Sequence, residues 1–144
     1  MKIHAASFLG KKGTAALVKD FNTLLDLHET KKYNRYIGSI IDIFNSGQSA
    51  ATHRVMKKLM NLDMHEKLIL KCCHYCRIAA SVDYIPFLLK VFKENAVSEM
   101  GDVLRALEVC GNLSVIETLL KEKNKSLNPL WRKNIQHTIE TIQR

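Results

Sequence analysis

The chain has 144 residues, a length typical of a single domain. Hydrophobic residues make up 47% and charged residues 25%, which excludes intrinsic disorder as the main state. Only 2 prolines and 6 glycines are present, too few for the hairpin turns of an all-β sandwich or barrel. No uncharged stretch approaches the ~18–20 apolar residues of a membrane span.

The formal net charge is +8, from 22 basic and 14 acidic residues. The excess lies in the first half, since residues 1–72 hold 12 basic and 6 acidic residues and residues 73–144 hold 10 and 8. A positive field attracts nucleic acid, anionic lipid and acidic protein surfaces alike, and a charge of this size is also ordinary for solubility. Net charge therefore does not choose among these partners.

Apolar residues recur at helical spacing along nearly the whole chain. The pattern predicts about eight helices of roughly 11–17 residues, preceded by a partial helix at residues 2–9. No run alternates strictly for long enough to predict a strand. The residues expected to be buried on the apolar stripes are Leu17, Phe21, Ile37, Ile41, Leu59, Ile69, Ile85, Leu88, Leu104, Leu107, Ile116, Leu119 and Ile139.

Two helix starts carry capping signals in the sequence. Asp63 is followed three residues later by Glu66, the spacing of a capping box. Asn128 precedes Pro129, the order of an N-cap and a proline at the first helical position. Both signals predict that a new helix begins directly after them.

Small residues mark joints at a regular spacing. Gly13, Gly47, Ala80 and Gly111 are separated by 34, 33 and 31 residues, and each is expected to be a turn between helices. A period in the thirties with two helices per unit is the signature of an α-solenoid, in which neighbouring units stack to bury their apolar faces.

Three segments resemble HEAT repeats: AASFLGKKGTAALVKDFNTLL, RIAASVDYIPFLLKVF and ALEVCGNLSVIETLLK. Ile85-Pro86-Phe87-Leu88 matches the family's opening of a first helix, and Gly111-Asn112 matches its turn. The unit at Gly47 matches least, and the family's frequent Asp after the turn glycine is absent.

The resemblance implies an all-α fold, a right-handed superhelix of about four stacked antiparallel helix pairs. It would cover residues 1–144 as one domain, complete or as the C-terminal part of a longer solenoid. An irregular helical bundle stays open as the alternative. Tetratricopeptide and ankyrin repeats are less favoured, because their marker residues are not visible.

The 4 cysteines offer the most conspicuous cluster: Cys72, Cys73 and Cys76, with Cys110 further on. Cys73 and Cys76 have the spacing of a zinc ligand pair, which His74 or Cys110 would complete, but no second pair exists. The preferred interpretation is buried small residues on a helix, with no metal, no cofactor and no disulfide. Such a crowded cluster, without a signal peptide, favours the cytoplasm.

No motif points to catalysis: the sequence has no Gly-rich phosphate loop, no G-x-S-x-G and no H-E-x-x-H. The chain is therefore expected not to be an enzyme and not to have a small-molecule substrate. The resemblance implies that the second helices, roughly residues 31–45, 64–79, 97–110 and 128–143, line an inner, concave surface.

Cations recur on those helices, and the residues expected to bind are Arg35, Lys67, Lys71, Tyr75, Arg105, Trp131 and Arg132. Tyr75 and Trp131 are either aromatic anchors or core residues. The preferred function is a protein–protein interaction or scaffold module that binds an acidic partner. The alternatives are a nucleic-acid-binding protein, including one similar to HEAT-like DNA-repair glycosylases, and a regulatory tail of a larger membrane-associated protein.

Overall fold

The computed structural model describes residues 11–94 and 100–144, with side chains from residue 15 onward. This part of the chain contains α-helices and two short 3-10 turns, Val82–Tyr84 and Leu113–Val115, and no strand. The predicted all-α class is confirmed. The predicted partial helix at 2–9 lies outside the described residues. The helices are α1 Lys11–Asp26, α2 Asn34–Ser46, α3 Ala50–Met60, α4 Glu66–Ala79, α5 Ile85–Glu94, α6 Met100–Cys110, α7 Ile116–Lys125 and α8 Pro129–Gln143.

Three of the four predicted turns separate helices. Breaks follow Ser46, Ala79 and Cys110, as expected from Gly47, Ala80 and Gly111. The prediction at Gly13 is wrong, because this residue lies within α1. A glycine inside a helix costs only about 1 kcal/mol relative to alanine, so Gly13, even with Thr14 after it, does not by itself end the helix.

One of the two predicted caps is confirmed. The Asn128 side chain accepts hydrogen bonds from the backbone N–H groups of Leu130 and Trp131 at the start of α8. At the start of α4, His65 Nδ1 accepts the N–H of Lys67 instead of the predicted Asp63. The Asp63 carboxylate is paired with Lys31, and so is not used as a cap.

The chain divides into two compact units, residues 1–75 and 76–144. In the first unit, α1 packs on α2 and α3, with Phe21 and Phe44 ring centroids 5.4 Å apart. Helices α2 and α4 run parallel, because their contacts follow the same order along both segments. Thr30 donates to the carbonyl of Asp63, and further along the Lys71 ammonium lies 2.7 Å from a carboxylate oxygen of Asp42.

In the second unit, too, alternate helices contact each other. Helix α6 packs on α5 and α8, and α7 packs on α8. Thr138 Oγ1 donates to Glu108 at 3.0 Å, and Ile142 Cδ1 lies 3.3 Å from where a Cβ on Gly111 would stand. Residues further along α6 contact residues further along α8, so the two helices are parallel, with contacting residues about 30 positions apart in the sequence.

Most of the predicted core is buried, but three residues are only half-buried: Ile69, Ile85 and Ile116. The last two follow the 3-10 turns directly. Tyr84 and Val115, the final residues of those turns, occupy the buried positions instead. Because successive residues of a helix point about 100° apart, a shift of one residue turns each isoleucine toward the edge of the core.

Candidate functional site

Two predicted binding residues of the first unit, Arg35 on α2 and Lys67 on α4, are exposed. Lys71 is half-buried, and its ammonium lies 2.7 Å and 2.8 Å from the two carboxylate oxygens of Asp42. Its aliphatic chain runs over α2, where Cδ and Cε lie 3.1 Å from the Cβ position of Gly38. Lys71 therefore joins the two helices rather than offering an unmatched charge.

In the second unit, the charge of Arg105 is also matched. Its Nε lies 2.8 Å from Glu108, whose side chain is 11% exposed. Glu108 also accepts from Thr138 and lies 3.9 Å from His137 Nε2. Arg132 is exposed at the start of α8. The row of cations predicted from the sequence is thus partly neutralised by acidic side chains of the same unit.

Tyr75 is fully buried, which agrees with the second of the two roles that the sequence left open, that of a core residue. Its hydroxyl lies 2.8 Å from Thr52 Oγ1 and 2.8 Å from His53 Nδ1, both on α3. Gln48 donates to its backbone carbonyl at 3.2 Å. This buried polar group fixes how α3 packs on α4, because its hydrogen bonds would be lost if the helices slid past each other. The sequence signal was present, since Tyr75 falls seven residues after the buried Leu68.

Trp131 is half-buried, and its ring packs against Phe92 of α5 with centroids 5.9 Å apart. The remaining part of the ring is accessible at the start of α8. The contact with Phe92 places Trp131 against the core, and its partial exposure leaves its role as a binding anchor a prediction.

All four cysteines lie in the described part of the chain, where each is a buried thiol outside any disulfide. Burial, helped by the neighbouring Cys73, raises the pKa of Cys72 well above its ordinary value. Burial also raises the pKa of Cys110, against a smaller lowering effect of a backbone hydrogen bond with Ser81. Thiols that keep their protons are poor nucleophiles and poor metal ligands.

Within residues 11–94 and 100–144, no three His, Cys, Asp or Glu side chains meet in a way that could hold a metal ion. In the same part of the chain, no helix has the length and apolar character needed to cross a membrane.

The α7–α8 loop, residues 126–128, is a feature that the sequence did not predict, and its Leu127 is 96% exposed. Leu130, in the first turn of α8, is 67% exposed. The available signal was the position of Leu127 between Ser126 and Asn128, outside both flanking helical stripes.

Comparisons of the chain with models of known protein families, with curated proteins and with solved structures yielded no match.

Proposed function

We propose that the chain forms a HEAT-like α-solenoid and acts as a protein-binding scaffold for an acidic segment of another protein. Features within each unit support the solenoid: α2 and α4 are parallel, as are α6 and α8. The turns that follow α4 and α6 also share their hydrogen bonds at a 31-residue offset. This is the relation expected of stacked helix pairs. The buried thiols support a reducing compartment such as the cytoplasm.

The observation that carries the binding proposal is the pair Arg35 and Lys67. Both side chains are exposed, and neither has an acidic partner among the described residues. The parallel contacts of Thr30 with Asp63 and of Asp42 with Lys71 bring the starts of α2 and α4 side by side, at the level of Arg35 and Lys67. We call Arg35, Lys67 and Lys71 the α2–α4 face.

A protein partner fits this face better than a nucleic acid does. Phosphate-backbone binding generally uses several unmatched cations in a row. Here Asp42 and Asp63 lie beside the cations, and each is paired with a lysine of the unit. A short acidic segment needs only a few contacts, and two neighbouring cations can supply them together although each exposed pair contributes only about 0–1 kcal/mol.

The test measures binding of a fluorescent polyglutamate peptide of about 20 residues, long enough to span several Debye lengths at physiological salt. The variant Arg35→Glu with Lys67→Glu should weaken binding about tenfold, since it replaces attraction by repulsion at both sites. The matched control is Lys19→Glu with Arg54→Glu, which reverses two exposed cations of α1 and α3 in the same unit.

An equal loss of peptide affinity in both variants would show that only the net charge of the protein matters, which would contradict the proposal. A DNA duplex of about 20 base pairs serves as the rival ligand. Tighter binding of the duplex than of the peptide, with a steep linear fall of log affinity against log salt, would favour the nucleic-acid alternative instead.

A further inference from the structure

The α7–α8 loop presents apolar side chains that the rest of the unit does not cover. Leu127 is 96% exposed and Leu130 is 67% exposed. The loop is held in place by the Asn128 cap, which accepts the N–H groups of Leu130 and Trp131 at 3.0 Å and 3.1 Å. Trp131 is anchored in turn on Phe92. The two leucines are thus held outward by an ordered turn.

Cations surround this apolar tip. Residues 121–133 hold five basic residues and one acidic residue. Lys123 donates to the neutral Gln136 at 2.7 Å, so its charge is not cancelled there. Arg132 and Lys133 are exposed, and neither is paired with an acidic side chain among the described residues. Lys125 lies 3.6 Å from Glu122, the one acid of the segment.

We propose that the α7–α8 loop binds the surface of a lipid bilayer that contains anionic headgroups. Leu127 and Leu130 insert at the boundary between headgroups and acyl chains, and the cations on either side face the anionic headgroups. Apolar insertion and cation attraction to anionic lipid are the two contributions that hold peripheral proteins at a membrane. Trp131, at the base of the loop, suits the same interfacial layer.

The shape of the loop favours a bilayer over other anionic partners. Leu127 stands almost wholly clear of its own unit, and a fluid bilayer can surround such a tip without a matching pocket. A nucleic acid would use the cations and leave both leucines in water. An acidic peptide would pair with the cations and would cover the tip only if it brought its own apolar pocket. This inference concerns a different surface from the α2–α4 face and does not depend on it.

The experiment measures co-sedimentation with vesicles of phosphatidylcholine alone and of phosphatidylcholine with about 30% phosphatidylserine. The wild type should bind only the mixed vesicles. Trp131 is the chain's one tryptophan, so its fluorescence should shift to the blue on binding. Leu127→Ser with Leu130→Ser should lower the partition coefficient about tenfold or more, because the apolar insertion is lost.

The matched control is Val82→Ser with Leu113→Ser, which removes two side chains of the same unit that are 56% and 70% exposed but lie in other turns. It should bind vesicles as the wild type does. Circular dichroism checks that every variant keeps its helices. Equal vesicle binding by the wild type and the Leu127/Leu130 variant, or equal losses in that variant and the control, would overturn the proposal.

The contribution of the cations is tested with a second double variant, Lys125→Glu with Arg132→Glu. Each cation near an anionic membrane contributes roughly a fivefold factor, so this double reversal should lower binding by at least about tenfold. Lys19→Glu with Arg54→Glu, which reverses two exposed cations outside either proposed surface, should leave vesicle binding unchanged. Equal loss from the two pairs, or binding to phosphatidylcholine alone, would overturn the proposal.

Discussion

Two turns of the second unit have the same hydrogen bonds but differ in the residues that form them. The first turn, residues 80–84, follows α4, and the second turn, residues 111–115, follows α6. In each, the first residue donates its N–H to the carbonyl four residues earlier, at 2.9 Å for Ala80 and 2.7 Å for Gly111. In each, the next side chain, Ser81 or Asn112, accepts the N–H two residues on and starts a 3-10 turn.

The turns differ at the residue that ends the helix. Ala80 has φ of 51°, in the left-handed region that residues with a Cβ adopt at a cost. At Gly111, a Cβ would clash with the carbonyl oxygen of Leu107. The shared geometry therefore comes from the capping side chain and the 3-10 turn. The residue that ends the helix determines whether the turn has a strained backbone angle. The first turn is strained at the positive φ angle of Ala80. The second turn avoids a steric clash because Gly111 has no Cβ.

The largest effect in this comparison is expected for Gly111→Ala. The new Cβ meets a backbone oxygen that cannot move without opening the end of α6, and Val115 and Ile142 side-chain atoms lie 3.3 Å away on other sides. We expect the free energy of unfolding to fall by about 2–4 kcal/mol, the scale of strain combined with overpacking. Urea denaturation followed by circular dichroism measures it.

Gly101→Ala is the matched control, because no side chain or distant backbone atom of the described residues lies within 4 Å of the Cβ position at this second residue of α6. It should change stability little or raise it by up to about 1 kcal/mol through helix propensity. Similar losses in the two variants would mean that the second turn does not depend on the missing Cβ.

The helices that precede the two turns are joined through Cys110, whose Sγ donates to the carbonyl of Cys76 at 3.1 Å. Because its pKa is raised from the ordinary value of 9.0, the folded state keeps the thiol proton to a higher pH than the unfolded chain does. Cys72 behaves alike, with a larger shift. The stability is fully present below about pH 9 and declines as pH rises beyond it, by up to about 1.4 kcal/mol per pH unit for each thiol.

Urea denaturation at several values of pH from neutral to alkaline measures this slope. Cys72→Ala should flatten it most and Cys110→Ala less, because burial shifts the pKa of Cys72 further. Both variants also lose stability at neutral pH, so the slope rather than the absolute value is compared. A slope unchanged in both variants would show that these thiols are not the groups that titrate.

Ser81→Ala and Asn112→Ala test the side-chain cap that the two turns share. Each removes the side-chain oxygen that accepts the backbone N–H of Asp83 or Ser114, at 3.2 Å and 2.9 Å. Each should cost about 1 kcal/mol, typical of an N-cap. Thermal unfolding measures both, with Ser46→Ala, an exposed helical serine, as the control. A large effect at one turn only would contradict a common capping role.

The sequence predicted both turns because a small residue, Ala80 or Gly111, falls at the end of an apolar stripe and the two are 31 residues apart. It did not predict the 3-10 turns, which advance the helical phase by one residue and so move Ile85 and Ile116 to the edge of the core. At Gly13 the same pattern, a small residue followed by the polar Thr14, is present, and the helix nevertheless continues through it.

The candidate cations were visible in the sequence, but their partners were not. Asp42 lies 29 residues from Lys71, and Thr138 lies 30 residues from Glu108. Such pairs form only when parallel helices meet in one register, which periodicity within a helix does not specify. The burial of Tyr75 has the same origin, because Thr52 and His53 reach it from a different helix.

The smallest effect, and the only gain expected from the first turn, is that of Ala80→Gly. The left-handed backbone at φ 51° costs an alanine about 1–2 kcal/mol, which glycine does not incur. Glycine loses roughly 0.5–1 kcal/mol of that advantage through the greater freedom of the unfolded chain. A net gain of about 0.5–1 kcal/mol in the free energy of unfolding is expected, measured by urea denaturation. Ala79→Gly, one residue earlier and still helical, should instead lose about 0.5–1 kcal/mol, because helix propensity falls with no strain relieved. If both substitutions destabilised alike, Ala80 would hold no strain, and the contrast with Gly111 would rest on the missing Cβ of the second turn alone.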